Sequence, residues 1–206
     1  NCRRHERTLD QHTIIRRFCF GCFKVQVEPR DVFELIKLFL LFDWINLEAN
    51  NTRKCMVELR DEISGFYKGL IYCSSLEEAK LIHKIISTHV SQLIDKEVPC
   101  SIKRGCSEFA KAIPEFGHIE KSGNGGLMEY INEWEAIENN YDAHHPSDRP
   151  LRGAPTLRGF SLSDLLIIKN WVGYARGIGD PSVADFSLNQ VSSDRLLVAA
   201  RKRKAK

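Results

Sequence analysis

The order in which hydrophobic periodicity changes between Cys19 and Phe109 most constrains this chain. From Cys22 onward, Phe23, Val25 and Val27 alternate with Lys24, Gln26 and Glu28, the pattern of a half-buried strand that Pro29 ends. Asp31 then stands as an N-cap before Val32, Leu35, Ile36, Phe39 and Leu40, which recur at helical spacing and predict a helix to about Asp43. Lys54–Arg60 and Phe66–Cys73 read as two strands joined across a turn at Glu62–Gly65. Ser74-Ser75-Leu76-Glu77-Glu78 opens a second helix, because hydroxyls cap free N–H groups and acids suit the positive end of the helix dipole. Leu81, Ile82, Ile85, Ile86, Val90, Leu93 and Ile94 carry it to about Ile94, and Val98–Ser107 reads as a fourth strand.

Strand, helix, strand, strand, helix, strand is the split β-α-β order. Right-handed crossovers place both helices on one face of an antiparallel sheet with spatial order 4-1-3-2. The expectation is therefore an α+β, ferredoxin-like βαββαβ sandwich over residues 19–109, with a C-terminal helical extension. Residues 1–18 read as a basic arm containing Cys and His, and residues 110–179 as the helical extension. Within it a glycine-rich break at Ser122–Gly126 precedes helices over Leu127–Tyr141 and from about Ser161 to Gly177. Residues 180–206 read as an irregular segment and basic tail.

The chain has 206 residues, 43% hydrophobic and 28% charged, enough for a core without disulfides or metal. Its net charge of +3 excludes a polycation as a whole. The seven cysteines, an odd number falling partly in predicted strands, suggest a reducing, cytoplasmic setting. Residues 1–12 are charged and lack the apolar stretch of a signal peptide. The longest apolar run, Phe33–Ile45, is interrupted by Glu34, Lys37 and Asp43, so no membrane span is expected.

The outer sheet face carries the strongest functional signal. Alternation sends Lys24, Lys68 and Lys103 outward with Lys54, Phe66 and Tyr72. Lysines neutralise phosphate while rings stack on bases, the combination RNA-binding sheets use. Leu70 stands where such a sheet would carry an aromatic, and no family resemblance follows. The basic tail adds Arg201, Lys202 and Arg203 as phosphate contacts. The leading expectation is a non-catalytic module binding a polyanion, single-stranded nucleic acid first among them. The competing occupant of this face is the chain itself, with Trp134 and Trp171 packing on Phe66, Leu70 and Tyr72.

Two alternatives stand beside it. Cys2-x2-His5 and Cys19-x2-Cys22 have the spacing of paired zinc ligands, and four soft donors can close a tetrahedron. Cys106, after two cations and a glycine, is a candidate nucleophile for a thiol-dependent enzyme, with His83 or His89 as base if the fold brings one near. Asp142-Ala-His-His-Pro-Ser-Asp148 reads as a solvated loop. The second alternative is a structural or assembly subunit whose C-terminal helices dock on protein partners.

Overall fold

A computed structural model describes residues 2–119, 127–145, 160–184 and 193–205. The fold is mixed α+β. Its strands are β1 (Phe23–Val27), β2 (Arg53–Val57), β3 (Tyr67–Cys73) and β4 (Cys100–Arg104), and they form one antiparallel sheet. The sheet order is β2-β3-β1-β4, which read from the opposite edge is β4-β1-β3-β2. The register sets Lys24 opposite Tyr72 on one side and Lys103 on the other.

Two helices cover one face. In α3 (Val32–Trp44) the Asp31 carboxylate accepts from Glu34 N, and in α4 (Leu76–Leu93) the Ser75 hydroxyl accepts from Glu78 N, so both predicted caps act as such. Leu38, Leu41 and Phe42 of α3 and Ile82, Ile86 and Val90 of α4 meet Phe23, Val25, Val27 and Ile71 in the main core. Gly69 lies beneath α3, and a Cβ there would press on Leu38 and Phe42.

The N-terminal arm is more ordered than its composition predicts. Helices α1 (Cys2–His12) and α2 (Arg17–Phe20) bury Leu9, Ile15 and Cys19 in a second core with Phe109 and Phe116. The short α2 takes the residues expected to begin the first strand, which starts instead at Phe23. Arg16 explains why a basic segment can be held down. It lies buried and pairs with Asp142 and Glu138 of α6 (Trp134–His144). The fourth strand is also shorter than expected. The chain leaves the sheet at Arg104 and forms α5 (Ser107–Ala112) and a 3-10 turn at Pro114–Gly117. Ser122–Gly126 and the part of the predicted loop after His145 lie outside the described residues.

Neither C-terminal tryptophan lies on the outer sheet face. Trp134 sits beside Phe20 in the second core. Trp171, on α7 (Leu162–Ile178), meets Phe39 of α3 edge-on and joins Val32, Leu35 and Tyr67 in a third core. Helix α7 begins at a capping box of Ser161 and Asp164 and ends at Gly179, whose φ of 74° is the left-handed conformation glycine tolerates. The last described helix, α8 (Ser193–Lys204), gathers Arg201, Lys202, Arg203 and Lys204 in its final turn, where cations suit the negative end of the dipole. No described helix is long and apolar enough to cross a membrane.

Asp180, just past α7, ties the C-terminal region to the sheet. Its Oδ2 accepts from the buried Tyr67 hydroxyl and from Val32 N, while Oδ1 accepts from Ser182 N and Oγ. Burial pushes this carboxyl up, but those hydrogen bonds outweigh it and hold Asp180 below the usual aspartate range. Asp180→Ala strands the Tyr67 hydroxyl without its acceptor and is expected to cost about 2–3 kcal/mol in urea denaturation. Because the folded-state pKa is lowered, the contribution is present at neutral pH and is lost as pH falls through that value. A loss below roughly 0.5 kcal/mol, the range of an ordinary surface substitution, would contradict this role.

Candidate functional site

The face of the sheet opposite α3 and α4 is roofed, and a different part of the chain from the one expected forms the roof. The connection from β2 to β3 curls back over one side, and α5 with the 3-10 turn returns over the other. Two ion pairs join them, Arg60 to Glu108 at 2.6 Å and Lys111 to Glu62 at 3.6 Å. Between roof and sheet lies a cavity of about 210 Å³. Lys24, Gln26 and Lys68 lie on its sheet side, Lys103 on β4 beside them, and Arg60, Ser64 and Cys106 come from the roof.

The cations differ in what already holds them. Lys68 is 3% exposed; its Nζ donates to Ser64 O at 2.5 Å and pairs with Glu28 at 3.6 Å. Lys103 is exposed and shares the same Glu28 carboxylate at 3.4 Å. Burial raises the Glu28 pKa, but the Gln26 hydrogen bond and the two lysine charges win and hold it below the ordinary glutamate value. Arg60 is engaged by Glu58 at 2.8 Å and by Glu108. Arg104 belongs to the architecture. It donates to Phe116 O and Phe20 O, with its guanidinium 4.7 Å from the centroids of both Phe23 and Phe116.

Lys24 is the exception. It is only 6% exposed, and among the described residues its side chain makes no hydrogen bond and no ion pair within 4 Å. Burial pushes its pKa below the ordinary lysine value, and the charges of Lys103 and Arg60 add to this while Glu108 and Cys106 oppose it. An ammonium group removed from water with no close counter-charge is costly. Groups with pKa values shifted by burial cluster in functional clefts, which makes Lys24 the candidate here.

The remaining predicted ligand residues fall outside this cavity. Lys54 is exposed, Phe66 is 53% exposed just ahead of β3, and Tyr72 is half-buried on the cross-strand row of Lys24. Arg201, Lys202 and Arg203 are exposed on α8. The expected open lysine belt is thus corrected: Lys24 and Lys68 are buried beneath the roof. Alternation placed their side chains on the proper face, but the covering segments, a loop before β3 and a short helix after β4, carry no periodic signal. Glu108, which pairs with Arg60, was not legible as a partner because the turn into α5 interrupts what reads as strand.

The predicted metal set is only partly assembled. Cys19 Sγ lies 3.2 Å from His5 Nδ1, while Cys22 Sγ occupies the space above Gly105. The side chain of Cys2 lies outside the described residues. Among the described residues no group of three metal-ligating side chains converges. Burial, followed by nearby positive charges, lowers the His5 pKa to about 4, so this imidazole is neutral near pH 7. Cys106 does line the cavity, but His83 and His89 cannot serve it as base. They sit on α4, across the sheet, where His83 meets Cys100 O and His89 meets Ile85 O. In the 142–145 segment, Asp142 is engaged by Arg4 and Arg16, while His144 and His145 bond to backbone carbonyls one turn earlier.

Comparison with known proteins finds no matching family model, no matching curated protein and no matching solved structure.

Proposed function

We propose that this protein is a binding module that receives an anionic group in the cavity under its roofed sheet face. The observation that carries the reading is Lys24, buried and without a close partner, beside Lys68, Lys103 and Arg60. The cavity is small, so a ligand enters one phosphate or carboxylate at a time. For single-stranded nucleic acid, the polyanion the sequence favours, a terminal or splayed phosphate would reach Lys24. Lys54, Phe66 and the basic turn of α8 would meet the rest of the strand outside. We further infer that the sheet with α3 and α4 is a ferredoxin-like sandwich. What supports this is the strand order together with two crossover helices on a single face. A cytoplasmic setting is part of the same proposal.

Anisotropy titrations with a short single-stranded oligonucleotide, with and without a 5′-phosphate, test this beside thermal-shift titration with inorganic phosphate. Binding of the phosphorylated strand that weakens with salt and falls about ten- to a hundredfold in Lys24→Ala supports the polyanion reading, since a charged hydrogen bond contributes about 1.5–3 kcal/mol. A response to phosphate without strand binding restricts the ligand to small molecules. No response to any of the three removes the proposal.

A further inference from the structure

We propose that Lys24 is also a nucleophile, forming an imine with the carbonyl carbon of a small ligand that bears a carboxylate or phosphate. This rests on the anion-binding reading of the same cavity and names the chemical class of ligand.

Three observations select this lysine and this class. Lys24 is nine-tenths buried and lines the cavity, yet no carboxylate approaches it within ion-pair distance among the described residues. Lys68, in the same cavity, is instead fastened to Ser64 O and Glu28. Lys103 and Arg60 border the cavity with cationic heads that retain unused N–H donors beyond Glu28, Glu58 and Glu108. An anionic ligand would be held by those two, which leaves its carbonyl for the amine. Desolvation and neighbouring cations favour the neutral amine, the form that attacks carbonyls, as in other lysines activated by burial.

The step balances without a further reactant. The Nζ lone pair forms a C–N bond as the carbonyl π bond breaks onto oxygen. The proton lost from Nζ passes to that oxygen to give a carbinolamine, and protonation with loss of water leaves the iminium. The product keeps a positive charge where the ammonium stood, so the arrangement that holds an anion beside Lys24 still applies.

Glyoxylate with cyanoborohydride tests this on the full chain. Hydride delivered to the iminium carbon leaves a carboxymethyl group on Nζ, located by peptide mass mapping. The expected result is modification at Lys24 at least tenfold faster than at exposed Lys54, Lys96 or Lys111, slowed by inorganic phosphate and not reproduced by uncharged propionaldehyde. Lys24→Arg keeps a cation but has no primary amine, and it should lose the adduct. Equal labelling of the exposed lysines, or equal reaction with propionaldehyde, overturns the proposal. A phosphate shift in wild type with no adduct at Lys24 overturns the imine alone. Loss of both overturns the anion site as well.

Discussion

Lys24→Met is expected to raise the stability of this protein while removing its anion binding. The lysine is 6% exposed on the sheet side of a cavity and has no ion pair within 4 Å among the described residues. Its charge therefore costs desolvation free energy that the more distant charge of Glu108 offsets only in part. Methionine keeps an unbranched stem and fills the same space with polarizable, apolar atoms. Replacing buried ionic groups by packed apolar ones stabilises by about 1–4 kcal/mol in favourable cases, and the lower half of that range is expected here because the cavity admits solvent. For a chain of this length each kcal/mol moves the thermal midpoint by roughly 2–4 °C.

The pH dependence has a definite sign. Burial lowers the folded-state pKa of Lys24 below the ordinary 10.5, so between those two values the unfolded chain holds more protons. Stability of the wild type then rises with pH across that interval. The advantage of Lys24→Met is full below the folded-state pKa and shrinks as pH approaches 10.5. Denaturation curves of the two proteins at several alkaline pH values read this directly. A substitution that destabilises at neutral pH would show that Lys24 is held by favourable contacts, and its retention for a ligand would lose its physical basis.

Phe116→Ala should have the opposite and larger effect, a loss of about 3–5 kcal/mol. The ring is fully buried. It meets Phe20 at 5.2 Å and Phe109 at 6.0 Å between centroids, both edge-on, and lies beneath the Arg104 guanidinium. Removing it leaves a cavity in the second core and takes the aromatic partner from a buried cation. The consequence reaches the site because Phe109 and Phe116 anchor the α5 and 3-10 segment, whose Ser107, Ala110 and Gly117 border the ligand cavity. Urea titration should show a lower midpoint with an unchanged slope, and Phe116→Leu should recover much of the loss. A cost under 1 kcal/mol would mean that the roof is not anchored through this core.

The sheet and the two helices that cover it were largely legible in the sequence. Period-two alternation at Phe23, Val25 and Val27 and helical spacing at Leu35, Ile82 and Ile86 mark which side of each element is apolar, and burial follows apolarity. Asp31 and Ser75 were legible as caps because capping is local, settled within one turn of helix. The arm was not legible. Leu9, Ile14 and Ile15 are buried, but the ion pairs that hold Arg16 come from acids of α6 more than a hundred residues away. The candidate site was half legible. Alternation placed Lys24 and Lys68 on one face, yet nothing local distinguishes a lysine bound for solvent from one bound for a cavity.

By itself, then, the sequence determined the order of elements, the apolar side of each and the common face of the lysines, because these depend on spacing along a single segment. Tertiary structure decided what lies over that face. The β2–β3 connection and α5 meet there through Arg60–Glu108 and Lys111–Glu62, contacts between segments about fifty residues apart that no periodicity encodes. That cover turns part of an expected open belt of lysines into a partly closed cavity with Lys24 inside it. The properties on which the proposed function rests, desolvation and the lack of a close counter-charge, arise from three-dimensional surroundings rather than from residue type.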